Sequence, residues 1–189
     1  MTALPNQHIT VSEYLQLDQQ HAEKLEYYAG IIVAQAGVTA RHNLIITNLI
    51  GHLYPQVRQR GCHMFPGDMR VQATEQKVYT YPDLSIVCDT PYYTDPSEMT
   101  LTNPTIIIEV LSPSTDTRDR TEKLMYYRGI ESLQEYILIA QHIPYVQRYT
   151  RQTPLFWYVH LTDTLDASIE LTAIGCTIAM SDVYAGIGF

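Results

Sequence analysis

Residues 105–112 form an apolar run, TIIIEVLS, that leaves few ways for this chain to fold. The run has the length of a strand and is rich in isoleucine, which predicts a strand buried on both faces in the middle of a sheet. Residues 114–130 then predict a helix of about three turns, and residues 134–140, QEYILIA, predict a second apolar strand. Strand, helix and strand in this order imply a right-handed crossover between two parallel neighbours.

The rest of the chain has the patterns of a mixed α/β (α+β) protein. Pro55 lies in the last turns of a long amphipathic helix, so this helix is expected either to kink or to stop near Leu53. From residue 39 to residue 140 the predicted order is helix, three strands, helix, strand. The other elements predicted from periodicity and turn signals are a helix at 10–20, a strand pair at 25–37, the long helix at 39–61, strands at 62–73 and 77–88 around a turn at 74–76, and a C-terminal antiparallel meander.

Length and composition limit the class of protein. The 189 residues predict a single domain over residues 1–189 with a full hydrophobic core. Lysine and arginine number 12 against 20 aspartates and glutamates, and the formal net charge of -8 argues against a surface that coats nucleic acid. The cysteines Cys62, Cys88 and Cys176 are odd in number and have no CxxC spacing, so neither a disulfide framework nor a zinc ribbon is expected.

Several locations and functions are excluded by missing patterns. The N-terminus lacks the pattern of a secretory signal, and no run approaches the roughly 18 apolar residues of a membrane span. We therefore expect a protein of the reducing cytoplasm, without a membrane partner. The motifs GxxxxGK[ST], GxGxxG, GxSxG and HExxH are absent from the sequence. The chain therefore lacks the residues that these motifs supply for binding nucleotide phosphates, for serine hydrolase activity and for zincin activity.

Two acids stand out because of where they lie. Glu109 is in the centre of the apolar strand, where a carboxylate costs several kcal/mol of desolvation unless it is paired, protonated or bound to a cation. The alternative to a functional role for Glu109 is a buried ion pair or a neutral acid that is hydrogen-bonded in the core. Asp83 follows Pro82, which interrupts strand pairing and can redirect the next side chain, although an aspartate there is also an ordinary residue at the start of a strand.

Taken together, these acids predict a metal site. The alternation of side chains along strands can place Asp83 and Glu109 on the same face at the same end of the sheet. Magnesium takes oxygen ligands and commonly uses one or two carboxylates together with waters and phosphate oxygens. Lys123, on the following helix, can orient the attacking water or offset charge on a phosphate. The alternative for Lys123 is a solvated lysine paired with Asp119, four residues before it.

The segments PDLSIV, IIIEVLSPST and GI.S.QEYILI resemble the Uma-two family of restriction-endonuclease-like proteins, within the PD-(D/E)XK nuclease superfamily. The spacing of Asp119, Lys123 and Tyr127 belongs to the same resemblance. LEYYAGIIV is similar to the family's N-terminal region, with Glu26 at the acidic position, and ARHNLIITNL is similar to its helix start, with His42 at the histidine. The resemblance covers most of the chain and implies a restriction-endonuclease-like core at about residues 39–140, in the element order predicted above.

The resemblance also implies roles for single residues. Asp83 would be the first metal ligand and Glu109 the second, while Leu111 stands where the superfamily pattern has a lysine. The family instead supplies the amine from the next helix, at Lys123. Two accessory positions are also implied: Glu26 as an acid near the metal, and His42 as a contact to the substrate or to the ligands. Each of these two has a plain alternative, as an exposed strand residue or a polar residue at a helix N-terminus.

The predicted function is a nuclease that hydrolyses phosphodiesters with Mg²⁺ or Mn²⁺, with DNA favoured over RNA as the substrate. Arg118 and Arg120 are the predicted substrate contacts, in a local positive strip that also includes Lys123 and Arg128. A homodimer is expected, because two sites can face two strands. The alternatives are a catalytically inactive nuclease-fold module for binding or scaffolding, with Leu111 marking lost chemistry, and a hydrolase of small phosphodiesters.

Overall fold

The structure is a computed structural model that describes residues 8–35, 37–74, 77–112 and 116–189. The helices are α1 (Val11–Gln20), α2 (Ala40–Gln59), α3 (residues 116–127) and α4 (Met180–Val183). The strands are β1 (Leu25–Tyr28), β2 (Ile31–Ala34), β3 (His63–Pro66), β4 (Arg70–Thr74), β5 (Val78–Thr80), β6 (Leu84–Val87), β7 (Thr100–Leu101), β8 (Ile106–Leu111), β9 (Glu135–Ala140), β10 (Val146–Arg151), β11 (Trp157–Thr162), β12 (Ser168–Leu171) and β13 (Cys176–Ala179). This mixed architecture confirms the predicted fold class.

A six-stranded sheet forms the centre of the protein, with the order β11-β10-β9-β8-β6-β3. Every residue of β8 is buried, as the apolar run predicts. Strands β8 and β9 are parallel, with Ile106 opposite Glu135, and α3 connects them. The predicted strand, helix and parallel strand are therefore confirmed.

A second sheet has the order β2-β1-β5-β4-β7 and packs beside the central sheet. The predicted N-terminal strand pair is confirmed as β1 and β2, which are antiparallel with Leu25 opposite Ala34. The predicted C-terminal meander is only partly right. Strands β9, β10 and β11 do run antiparallel in sequence, but β12 and β13 form a separate two-stranded sheet.

The two strands predicted at residues 62–73 and 77–88 are each divided in the structure. Strand β3 pairs with β6 in the central sheet, whereas β4 pairs with β5 in the second sheet. The divisions fall at the turn that begins at Gly67 and at Pro82-Asp83, where proline supplies no N–H to a strand ladder. The hairpin therefore bends from one sheet into the other, and Asp83 lies at the bend. Residues 75 and 76 of its predicted turn are outside the described residues.

The two faces of β8 bury different parts of the protein. Ile108 and Val110 pack with the apolar face of α2, including Leu49. Ile107 and Leu111 lie on the opposite face, in the cluster that contains residues of α3 and of the second sheet. Because side chains alternate along a strand, Glu109 lies on the same face as Leu111, which is the face that α3 covers.

The cysteine prediction is corrected by the structure. Cys62 and Cys88 form a disulfide between the residue before β3 and the residue after β6. These positions are opposite each other because His63 pairs with Val87 in the antiparallel register. Cys176 is the buried free thiol. The odd number of cysteines gave no indication of this disulfide, because the two residues come together only when β3 pairs with β6.

Helix α2 continues through Pro55 and ends at Gln59, so it does not stop near Leu53. Its N-terminus is capped by Thr39, whose hydroxyl accepts a hydrogen bond from the His42 N–H at 3.1 Å. Pro55 is exposed and has no N–H to donate to the carbonyl of Gly51, four residues earlier. The apolar face of α2 keeps the helix intact, because its packing on the sheet outweighs the lost hydrogen bond.

Pro55→Ala is expected to raise the free energy of unfolding by about 1 to 3 kcal/mol, because it restores a helical hydrogen bond. Urea denaturation measures the change. Gly51→Ala is the matched control, because a Cβ added at Gly51 meets nothing within 4 Å and should stabilise the same helix by about 1 kcal/mol. A less stable Pro55→Ala protein, with Gly51→Ala behaving as expected, would contradict this account of α2.

Candidate active site

A cavity of about 70 Å³ lies where β1, β8, α3, the start of α2 and the bend at Asp83 meet. It has room for several water molecules. All the site residues predicted from the sequence line it except Arg120. Its lining residues are Glu26, Ala34, Gln35, Gly37, Val38, His42, Asp83, Glu109, Val110, Ser112, Arg118, Asp119 and Lys123.

The register of β6 and β8 brings Asp83 next to Glu109. Leu84 is opposite Ile108 in this antiparallel pair, so the preceding residue, Asp83, comes opposite Glu109. The Oδ2 atom of Asp83 accepts a hydrogen bond from the backbone N–H of Val110 at 2.7 Å. This bond fixes the carboxylate at the end of β8.

Lys123 reaches the same cavity from α3. Its Nζ atom lies 3.0 Å from Glu109 Oε1, 3.2 Å from Glu26 Oε1 and 3.2 Å from Asp119 Oδ1. The four side chains are at most 6% exposed. Lys123 therefore does pair with Asp119, but it is not a solvated lysine, and Glu109 is a member of a buried ion cluster.

A π-helical turn places the two α3 residues that belong to the ion cluster. This helix consists of Asp116–Arg118, the π-helical segment Asp119–Lys123 and Leu124–Tyr127 in continuous succession. Single π turns inside α-helices occur frequently at functional sites, where they change the direction of side chains. Here both ends of the wide turn, Asp119 and Lys123, are buried in the cavity wall.

Tyr127 supports Glu109 from the next turn of α3. Its hydroxyl donates a hydrogen bond to Glu109 Oε1 at 3.0 Å and lies 2.9 Å from the Thr80 hydroxyl. Burial raises the pKa of Tyr127 well above its ordinary value, and Glu109 raises it further, so the phenol remains a donor. Sequence reasoning gave Tyr127 no role. Its spacing from Asp119 and Lys123 was the available signal, because positions four apart share one helix face.

Glu26 is held by neighbours from three parts of the chain. Its Oε2 atom accepts a hydrogen bond from the Tyr28 hydroxyl at 2.8 Å. Its Oε1 atom lies 3.3 Å from both the Gln35 Nε2 and the Tyr81 backbone nitrogen, which donate to it. Glu26 is thus a buried strand residue facing the cavity, not an exposed one.

His42 contacts Asp83 at the start of α2. The distance from His42 Nε2 to Asp83 Oδ2 is 3.1 Å. Its Nδ1 atom is buried and has no hydrogen-bond partner among the residues that the structure describes. The ring proton is therefore assigned to Nε2, where it is donated to the carboxylate. His42 and the N–H of Val110 hold the same oxygen of Asp83.

The two predicted substrate-binding arginines lie in different places. Arg118 lines the cavity, with its guanidinium 5.0 Å from the centre of the Tyr28 ring. Arg120 is bonded instead to Asp116, at 3.0 Å, and to Gln147 of β10. The structure therefore brings only Arg118 to the acidic residues, and the role of each arginine stays a prediction.

An excess of carboxylates sets the electrostatics of the cavity. The acids are Glu26, Asp83, Glu109 and Asp119. Burial raises the pKa of Glu109 well above 4.5, and the other three acids raise it further, against the lowering effect of Lys123. Burial by itself lowers the pKa of Lys123, but its carboxylate neighbours outweigh that effect and hold the pKa well above 10.5. The charged ammonium leaves net negative charge, which favours a further cation.

Asp83 and Glu109 offer carboxylate oxygens, the type of donor atom that a hard divalent cation prefers. No group of three or more histidine, cysteine, aspartate or glutamate side chains forms a ready-made metal cage in the described ranges. Two carboxylates, Asp83 and Glu109, do line one small cavity with excess negative charge. Magnesium needs no more than one or two protein carboxylates, since waters and phosphate oxygens complete its octahedron.

Comparison with known sequences identifies a family and relatives to which this chain is similar. The family model described as "Uma2: Putative restriction endonuclease" matches residues 11–180. Two proteins of Synechocystis sp. are similar over most of their length. "Uncharacterized protein sll1609" is 37% identical over 163 residues, which cover 86% of this chain and 91% of the relative. "Uncharacterized protein slr1290" is 30% identical over 181 residues, which cover 96% and 94%.

A solved structure has the same fold. It is titled "Crystal structure of a putative nuclease belonging to DUF820" and comes from Anabaena variabilis. The TM-score is 0.76 at 21% sequence identity, over 93% of this chain and 97% of the other. None of the helices in the described ranges combines the length and apolar character that a bilayer crossing needs.

Lys123→Met is expected to lower the free energy of unfolding at neutral pH by about 3 to 5 kcal/mol, because three buried acids would lose their shared cation. The decrease in the free energy of unfolding should be smallest near pH 4.5, the ordinary pKa of glutamate, and should grow as the pH rises. The reason is that an acid with a raised pKa binds its proton more readily in the folded state, so folding is favoured below that pKa and opposed above it. Urea unfolding over this pH range measures both effects.

Lys24→Met serves as the control for this experiment. It removes a surface pair with Asp68 and should cost less than about 1 kcal/mol at any pH. A buried charge cluster is contradicted if Lys123→Met lowers the free energy of unfolding no more than Lys24→Met does. It is also contradicted if the effect of Lys123→Met does not change with pH.

Proposed function

Because this chain belongs to the Uma2 family of restriction-endonuclease-like proteins, we propose that it is a nuclease that hydrolyses phosphodiesters with Mg²⁺ or Mn²⁺. The observation that carries the proposal is the contact of the Lys123 ammonium with Glu109, in a cavity that Asp83 also lines. Two carboxylates can hold a divalent metal ion that assists phosphodiester hydrolysis, and an amine beside them can stabilise charge that develops on the phosphate. The proposed substrate is nucleic acid, with DNA favoured over RNA.

Each residue of the cavity has a distinct proposed role. Asp83 and Glu109 would hold the metal ion, which when bound supplies charge compensation for the phosphate and a water of lowered pKa. Lys123 orients the attacking water and offsets the charge that develops on the phosphate. Tyr127 and His42 are positioning residues, because they bond to the carboxylates of Glu109 and Asp83 respectively.

In this proposal, Lys123 takes the place of the missing lysine of the superfamily pattern. A lysine at position 111 would lie on the same face of β8 as Glu109, because residues two apart share a face. Helix α3 covers this face and presents Lys123 to Glu109 at 3.0 Å. Leu111 can therefore pack into the core with Ile107, while the amine comes from the helix. This geometry supports an active enzyme over an inactive module.

We expect purified protein to cleave DNA in the presence of Mg²⁺ or Mn²⁺. Asp83→Asn, Glu109→Gln and Lys123→Met should each reduce the rate by about 100-fold or more, because each removes a charged group from the reacting centre. Gel assays with plasmid and single-stranded DNA measure the rates. Asp68→Asn, at an exposed position, is the control and should retain the wild-type rate.

Two other outcomes would decide against the proposal. Divalent metal binding without turnover of DNA, RNA or a small model diester would favour the catalytically inactive binding module. Turnover of the model diester without cleavage of either polymer would indicate a hydrolase of small phosphodiesters. Isothermal titration with Mn²⁺ and a chromogenic diester separate these cases.

The acidic cavity also predicts that metal binding precedes nucleic acid binding. Four carboxylates repel a phosphate until a cation offsets them. Fluorescence anisotropy of a labelled DNA oligonucleotide should therefore show weak binding in EDTA and tighter binding in Ca²⁺, which supplies charge without supporting rapid cleavage. Equal binding in the two conditions would contradict this order.

The same assay compares the two arginines. Arg118→Gln should weaken binding in Ca²⁺ by about tenfold, the effect of one lost charged hydrogen bond to phosphate. Arg120→Gln is the matched substitution two residues away, and it should have a smaller effect because Arg118 lines the cavity, whereas Arg120 contacts Gln147 of β10. A larger effect at Arg120 would move the proposed DNA path toward β10. We also propose that the enzyme acts as a homodimer, so that two sites can cut two strands.

A further inference from the structure

Strand β11 forms one edge of the central sheet, and only β10 pairs with it in the described residues. The pairing is regular along its whole length, from Trp157 opposite Arg151 to Thr162 opposite Val146. No bulge interrupts the register, so the outer edge presents a straight row of backbone N–H and C=O groups. Such an edge is a template for pairing with another strand.

The side chains of β11 do not protect this edge. The sequence WYVHLT contains no aspartate, glutamate, lysine, arginine or proline, which are the residues that usually blunt an exposed strand. Tyr158 is 57% exposed and Leu161 is 53% exposed, on opposite faces of the sheet. The preceding loop adds Leu155, which is 86% exposed. At the other end of this sheet, β3 has four residues and ends in Pro66, so it is blunted.

We propose that β11 pairs antiparallel with β11 of a second copy of this chain, which joins two central sheets into one. A twofold axis perpendicular to the sheet keeps the same face of both copies on the same side. Two residues that pair across the axis must therefore both have odd numbers or both have even numbers. The register centred on Val159 satisfies this condition and places Trp157 opposite Leu161 of the other copy. Apolar side chains then meet across the axis on one face, and Tyr158 meets His160 on the other.

Charge complementarity at the two ends of β11 favours a second copy as the occupant. Two arginines lie at its start: Arg151 stacks on the Trp157 ring at 4.6 Å, and Arg128 donates a hydrogen bond to the Leu155 carbonyl at 2.7 Å. The exposed Asp163 follows the end of the strand. In the proposed register Asp163 of one copy comes opposite Leu155 of the other, beside Arg128. Antiparallel pairing therefore brings the basic end of each strand to the acidic end of its partner, twice per dimer.

This interface does not depend on the proposed nuclease activity. None of the residues of β11 lines the acidic cavity. A monomer that cuts DNA would overturn the interface and support the nuclease activity, whereas a dimer that cuts no nucleic acid would support the interface and count against the nuclease activity. The outer edge of β11 also gives the expected homodimer a defined contact surface.

Sedimentation velocity over a micromolar concentration series tests the proposal. Wild-type protein should sediment as a dimer, and Val159→Lys should raise the dimer dissociation constant at least about tenfold, because two lysines would face each other across the axis. Met125→Lys is the control, since Met125 is 73% exposed on α3 and should leave the dimer unchanged. A monomeric wild type, or a Val159→Lys protein that dimerises normally, overturns the proposal.

Two further variants test the register and do not depend on the folding of Val159→Lys. Val159→Cys should form an intermolecular disulfide under mild oxidation, whereas Met125→Cys should not. Arg128→Glu and Asp163→Arg should each weaken the dimer, and the double variant should restore it to within about threefold of wild type if the two ends meet. Crosslinking that is equal at the two cysteine positions, or a double variant weaker than both single ones, overturns the antiparallel pairing.

Discussion

A single buried ammonium connects acidic residues from both sheets and from α3. Lys123 contacts Glu26 from the second sheet, Glu109 from the central sheet and Asp119 from its own helix. Each acid would be costly to bury alone, and together they would repel one another. The lysine makes their common burial tolerable, so the position of α3 against both sheets depends on it. The remaining negative charge is the basis of the proposed metal site.

The parts of the fold that were predictable follow from local patterns. The apolar run of β8, with Glu109 at its centre, indicated a buried central strand and an acid in need of compensation. The helix and apolar strand that follow gave the parallel pair β8 and β9. Asp83 and Lys123 were selected by residue type and position, and the structure brings both to the same cavity as Glu109. Periodicity carries this information because burial acts on short segments.

The parts that were not predictable depend on contacts between distant segments. The division of β3 from β4 reflects which sheet each half joins, and no pattern within residues 62–73 encodes that choice. The Cys62–Cys88 disulfide needs the register of β3 against β6. The support of Glu109 by Tyr127 and Thr80 needs α3 and β5 to meet. Pro55 shows the opposite case, in which tertiary packing keeps the helix from ending near Leu53 despite a local signal for a stop.

The bent hairpin has a consequence for how the molecule opens. Two short connections, from β3 to β4 and from β5 to β6, link the central sheet to the second sheet, so the pairing of one sheet is coupled to that of the other. The two sheets should therefore belong to one cooperative unit, and amide protons of β5 should exchange with solvent as slowly as those of β6. The acidic cavity, which lies at the bend between them, would then be lost only when the whole unit unfolds.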